Sequence, residues 1–196
     1  MEHEITTVPL VKVTSGIACD APRLEDVIVS ENDPAITVMT DFTKTVAITI
    51  EANAGLAEAL QMMKAHGIRL LLVADEKDHI IGVLTAYDIQ SEKPVQYSAD
   101  NGVAVNEIKT AMLMTTLEQT PAFDFDFIKQ ALVRHVIHTM KELDRPHTLV
   151  IETKDAQCIR GVFSTSRISK LLGRAVYQPL HAAHSLADIN QEIGSH

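Results

Sequence analysis

One ten-residue pattern occurs twice in this chain. Ile80-Ile81-Gly82-Val83-Leu84-Thr85-Ala86-Tyr87-Asp88-Ile89 returns as Ile159-Arg160-Gly161-Val162-Phe163-Ser164-Thr165-Ser166-Arg167-Ile168. The flanking residues repeat with it. Val38-Met39-Thr40 is echoed by Leu113-Met114-Thr115 at a shift of 75. Leu56, Ala59, Leu60 and Met63 are echoed by Val133, Val136, Ile137 and Met140 at a shift of 77, as Leu72-Val73 is by Leu149-Val150. Gly82, Thr85 and Ile89 return at a shift of 79. A chain that repeats itself this way folds as two like units. The shift grows by two twice, which places small insertions before the helix and in the hairpin, where connections tolerate them.

Local chemistry predicts the order of elements within a unit. Val46 to Ile50 reads as a strand, and Asn53 as the N-cap of a helix over Ala54–His66. The apolar positions of that helix fall at i, i+3, i+4 and i+7, and Gly67 sits where a left-handed terminal residue is wanted. Arg69 to Ala74 is an apolar strand. The polar turn Asp75-Glu76-Lys77-Asp78 makes the next strand, His79 to Leu84, its antiparallel partner. Thr85 caps a short helix through its hydroxyl, with Asp88 one turn on. Pro94 is expected to end that helix, leaving 94–104 as a loop that turns at Asp100-Asn101-Gly102.

These readings divide the chain into an arm over 1–33, repeats over 34–95 and 105–173, and a tail over 174–196. In the arm, Ile5–Val13 (broken by Pro9) and Arg23–Ser30 have strand-like composition. In the tail, Ser185-Leu186-Ala187-Asp188 resembles a capping box, and Leu186, Ile189 and Ile193 give a stripe that predicts a short docking helix. The fold class is α/β (α+β): two repeats related by a pseudo-twofold, each a small three-stranded sheet with packed helices.

Composition narrows the functional classes. Apolar residues are 46% but aromatics only 4%, with no Trp, so the core is aliphatic. A net charge of −9 argues against a broad nucleic-acid surface, yet leaves room for one small anionic ligand. No apolar run approaches the ~20 residues of a membrane span. Met1-Glu2-His3-Glu4 is acidic where a signal peptide is basic, and Cys19 and Cys158 belong to no CxxC motif. A cytoplasmic location is therefore expected. With no nucleophile elbow, P-loop or dinucleotide-binding glycine fingerprint, an enzyme is not expected.

The element order, closed by Gly-x-x-Thr-x-x-Asp over Gly82–Asp88, resembles the CBS domain. The resemblance runs over roughly 34–173 and rests on Val38-Met39-Thr40, Glu58-Ala59…Met63, Leu72-Val73-Ala74-Asp75 and Gly82 to Ile89. The second copy resembles a CBS repeat with a longer first helix. The resemblance implies a tandem pair that binds AMP, ADP or ATP between its repeats, stacks as a homodimer, and regulates a separate, unnamed protein. The alternative it leaves open is a structural homodimer with empty clefts.

Carried onto these residues, it gives Asp88 the ribose diol and Thr85 the phosphate. The adenine would lie near Thr45, Val46 and Ala47, with Arg69 towards the phosphate. A carboxylate offers the two acceptors a diol needs. In the second copy Ser164 keeps the hydroxyl, but Arg167 stands where the acid should be, so one competent site built around Asp88 and one degenerate site are expected. His147 is a candidate to line the second cleft.

Each of these features has a plainer reading. Thr85 and Asp88 also form an ordinary capping box, and Arg167 is also an ordinary surface residue. The His135/His138 and His181/His184 pairs lack the further ligands a metal would need. Met62, Met63, Met112 and Met114 read as core filler. The alternation in Phe123-Asp124-Phe125-Asp126-Phe127 predicts phenylalanines on one packed face.

Overall fold

The computed structural model describes residues 29–176. The arm over 1–28, Cys19, the His181/His184 pair and the tail helix lie outside them. The described chain forms two four-stranded sheets with helices packed on each. The first sheet contains β2 (Thr49–Glu51), β3 (Leu70–Ala74) and β4 (Ile80–Thr85), with α1 (Leu56–His66) between β2 and β3. The second contains β6 (Ala122–Asp124), β7 (His147–Thr153) and β8 (Gln157–Ser164), with α6 (Val133–Glu142) in the equivalent place. In both, the first two strands pair parallel across the helix and the last two form an antiparallel hairpin.

The fourth strand of each sheet belongs to the other repeat. β1 (Thr40–Asp41) precedes the first repeat but pairs with β8, while β5 (Thr115–Thr116) precedes the second and pairs with β4. The registers mirror each other: Thr40 faces Val162 and Asp41 faces Gly161, as Thr115 faces Val83 and Thr116 faces Gly82. Such reciprocity is the mark of a twofold, here built within one chain.

Three apolar clusters follow from this plan. Ile50, Ala59, Met63, Leu71, Val73 and Leu84 centre the first repeat's core. Val133, Val136, Met140, Val150, Phe163 and Ile168 centre the second's. Leu72, Val83, Leu149 and Val162, joined by Phe42, Leu70 and Leu117, fill the seam between the sheets.

Gly82 and Gly161 are fixed by the crossing strands. A Cβ on Gly161 would lie 2.4 Å from the Thr40 carbonyl oxygen, and one on Gly82 would lie 2.6 Å from that of Thr115. β1 is held further by Asp41, which accepts from Arg160 Nε and Nη2 at 2.9 Å each. That guanidinium, stacked 4.2 Å from the Phe125 ring centroid, keeps the Asp41 carboxyl well below the usual carboxylate range.

Several elements differ from the sequence expectation. β2 begins at Thr49 rather than Val46. Helix α1 is capped by Gly55, with no side-chain cap, rather than by Asn53. The short helix α2 (Ala86–Gln90) ends before Pro94, and the expected loop is a helix, α3 (Lys93–Asn101), with Pro94 in its first turn and Gly102 as its left-handed C-cap. Proline suits a first turn because its missing N–H would be unpaired there.

The two sheets align at a shift of 73 between Thr49 and Ala122, so the shift falls before it rises. The excess in the second repeat is a separate turn of helix, α5 (Phe125–Ile128), and α6 is not longer than α1. Asp124 caps α5, which breaks the expected alternation: Phe125 is buried and Phe127 is 75% exposed. Of the four methionines read as core filler, Met63 is buried but Met112 is exposed. Before β5 runs the one-turn helix α4 (Thr110–Leu113), and after β8 comes α7 (Thr165–Leu172). Among the described residues no helix is long and apolar enough to cross a membrane.

Gly161→Ala should cost about 2–3 kcal/mol, because the added methyl meets backbone rather than a side chain free to move. Gly55→Ser, with nothing within 4 Å of its Cβ, should change stability by only a few tenths of that. Urea denaturation of the two variants measures the difference.

Candidate functional site

The reciprocal strands create two clefts at the seam, each assembled from both repeats. The larger, about 690 Å³, lies between the chain before β2, the α1–β3 connection, and the end of β8 with the start of α7. Phe42, Val46, Ile48, Ile68, Leu70, Leu72 and Val162 supply its apolar walls. Thr40, Thr45, Ser164 and Ser166 supply hydroxyls, Arg69, Arg167 and Lys170 supply cations, and His66 and His147 supply imidazoles. The smaller cleft, about 170 Å³, is its counterpart, with Thr115, Thr120 and Pro121 from the second repeat's entry facing Thr85, Tyr87 and Asp88 from the first repeat. Arg145, Pro146 and His147 form its floor.

The predicted site residues are therefore partitioned differently from the sequence expectation. Thr45, Val46 and Arg69 lie with Ser164, Arg167 and His147 in the large cleft, and Thr85 and Asp88 lie in the small one, while Arg69, Thr85 and His147 also meet in a third cavity of about 520 Å³ beside α1 and α2. Ala47 lines neither and packs into the seam beside Leu72 and Val83. The cause is the crossing of β1 and β5, which carries each repeat's entry segment to the other repeat's helix start. Thr120, Lys170, Ser166 and His66 were missed. Thr120 stands 75 residues after Thr45, and Lys170 stands one turn after Arg167, so the repeat and the helical period both pointed to them.

The two helix starts are in different states. Thr85 and Asp88 form a closed capping box. Asp88 Oδ2 accepts from Thr85 N at 2.9 Å and from Thr85 Oγ1 at 2.6 Å, and Asp88 N donates back to Thr85 Oγ1 at 3.2 Å. Lys93, brought in by α3, donates to Asp88 Oδ1 at 2.7 Å. Both carboxylate oxygens thus have partners, and the Asp88 side chain is only 13% exposed. At the other start, Ser164 Oγ accepts from Arg167 N at 3.2 Å and lies 2.8 Å from Ser166 Oγ, while the Arg167 side chain is exposed.

His147 stands between the clefts, at the register position that Leu70 holds in the first repeat. Its Nδ1 is sealed from solvent and has no hydrogen-bond partner. Burial pushes its pKa down to about 4; the nearby Arg69 cation lowers it further and Asp88 partly offsets this. The ring is therefore neutral at pH 7 and has an unused acceptor or donor inside the seam. His135 and His138 are exposed on α6, and among the described residues no cluster of three metal-ligating side chains occurs.

The CBS-domain family model matches residues 24–93, which includes the whole of the first sheet's β2–β4 unit. The second half repeats that unit strand for strand. The first repeat is a CBS domain, and the second half of the chain has the same fold. The chain resembles an uncharacterised conserved protein from Pyrococcus horikoshii, with a TM-score of 0.54 and 17% identity over 76% of this chain and 99% of that one. It also resembles CBSX2, solved in complex with AMP, with a TM-score of 0.51 and 14% identity over 70% of this chain and 94% of that one. A curated relative, the L-aspartate semialdehyde sulfurtransferase of Methanocaldococcus jannaschii, is 26% identical over 147 residues. Those residues are 74% of this chain, but the chain spans only a quarter of that relative's length.

The sign of the His147 effect follows from its lowered pKa. Between about pH 6.5 and 4 the unfolded chain binds a proton that the folded chain does not, so stability falls as the pH drops through that window. The loss should reach about 2 kcal/mol at pH 5 relative to pH 7. His147→Leu, which installs the first repeat's residue, should abolish that component in urea titrations at the two pH values.

Proposed function

We propose that this CBS pair is a regulatory module that binds an adenine nucleotide in the large cleft and transmits its occupancy through the seam. The cleft itself carries this reading. Its volume falls in the range of small-molecule sites, whereas the small cleft falls below it. Ile48, Ile68, Leu70 and Leu72 offer a base an apolar bed, and Ser164 and Ser166 offer a phosphate or ribose hydroxyl partners. CBSX2, a protein of this fold, was solved with AMP, and that is the source of the adenylate in this proposal.

The Asp88 cleft is read as unoccupied under ordinary conditions, because a ligand there would have to displace Lys93 from the carboxylate. Binding rather than catalysis is proposed on the placement of the described thiol. Cys158 is four residues along β8 from Val162, the nearest residue of that strand in the large cleft, or about 13 Å away. Because the large cleft takes walls from both repeats, a ligand that bridges them favours one arrangement of the pair over others.

Isothermal titration with AMP, ADP and ATP should give one ligand per chain. A nucleotide at 100 times its dissociation constant should add about 2.7 kcal/mol of stability. Ser166→Trp, at an exposed position on the cleft wall, should abolish binding without lowering the melting temperature. Silence from all three nucleotides at millimolar concentration, or binding untouched by Ser166→Trp, would overturn the proposal.

A further inference from the structure

The charge lining the large cleft is one-sided. Arg69, Arg167 and Lys170 border it and no carboxylate does, in a chain whose net charge is −9. Five basic side chains elsewhere are engaged by acids: Lys93 by Asp88, Lys129 by Asp126, Lys154 by Glu152, Arg160 by Asp41 and Arg174 by Glu31. Among the described residues, the side chains of Arg69, Arg167 and Lys170 make no ion pair or hydrogen bond. They also come from both repeats. Arg69 leads into β3 of the first, and Arg167 and Lys170 stand one turn apart on α7 of the second, which puts them on one helix face.

A guanidinium offers only donors, so Arg167 cannot accept from a sugar diol, but it can grip phosphate oxygens in pairs. A single phosphate cannot easily answer three cations spread over two repeats; a chain of phosphates can. We infer that the large cleft selects a di- or triphosphate whose anionic chain joins Arg69 of the first repeat to Arg167 and Lys170 of the second. This inference rests on the large cleft being the ligand site. On this account the loss of the acid from the second helix start changes the chemistry that the cleft recognises: phosphate replaces ribose as the group that is gripped. Uncharged nucleosides and monophosphates are then weak ligands. The tie between repeats is electrostatic, so occupancy weakens with salt.

Titration of the full chain with adenosine, AMP, ADP, ATP and inorganic tripolyphosphate, each at low and high salt, tests this. Affinity should rise at least about tenfold from AMP to ATP, and tripolyphosphate should compete with ATP. Arg167→Asp, which installs the first repeat's acid on an exposed helix position, should lower ATP affinity by about tenfold or more and AMP affinity by less, while adenosine, which has no phosphate, is not weakened. Lys170→Gln should show a smaller loss of the same kind, with thermal melting confirming that both variants fold.

ATP binding no tighter than AMP, or ATP affinity unchanged in Arg167→Asp, would overturn the inference while leaving the cleft as the nucleotide site. Tripolyphosphate bound with no added preference for adenine would support the phosphate grip and remove the adenine reading. No binding by any of the five would remove both.

Discussion

The structure depends on the exchange of two short strands. β1 and β5 are each two residues long, yet they decide which surfaces meet. Each closes the other repeat's sheet, and each runs so close to its partner that only glycine fits beneath it. Gly82 and Gly161 therefore stand at the head of the repeated motif because a carbonyl passes over them, before any ligand is considered. The Asp41–Arg160 pair shows the same dependence from the other side. Its two hydrogen bonds join residues 119 positions apart, and the exposure of the side chains, 7% and 16%, leaves little water to compete. A buried bidentate pair contributes more to fixing an arrangement than to net stability, since removing its charges from water is itself costly.

Because of the exchange, neither repeat owns a cleft. Each cleft joins the entry of one repeat to the helix start of the other, and the two have diverged where they meet. In the small cleft the acid survives but is engaged by its own cap and by Lys93. In the large cleft the acid is gone and the cations have no acidic partner. The equivalent positions Leu70 and His147 differ in the same way: one is an apolar seam residue, the other carries a polar atom into the seam with no partner. Divergence at so few positions leaves the twofold plan intact and changes what each cleft can hold.

Much of the fold was legible because its signals are local. The hairpin of β3 and β4 follows from four polar turn residues, the buried face of α1 from its spacing, and the cap of α2 from Thr85 and Asp88. The misreadings were of two physical kinds. Pro94 breaks a helix interior but suits a helix start, and sequence alone did not distinguish the two. Phe127 continued an alternation that the backbone abandons at Asp124, where a cap converts strand into helix. The sites were less legible for a different reason. A linear repeat suggests that residues near each other in one copy work together, so Thr45 and Val46 were grouped with Asp88. The strand exchange pairs each entry with the opposite helix start, and nothing in the one-dimensional pattern records that crossing.

The exchanged strands also limit how this chain can be divided. A single repeat cut away from its neighbour would keep its hairpin but lose the strand that covers one side of β4 or β8. It would then present a bare hydrogen-bonding edge above a glycine, a surface shaped to accept a short extended segment. Two copies of such a half can each supply what the other lacks. The severed repeat is thus built to assemble as a swapped pair, recreating between two molecules the intertwining that this chain achieves within one.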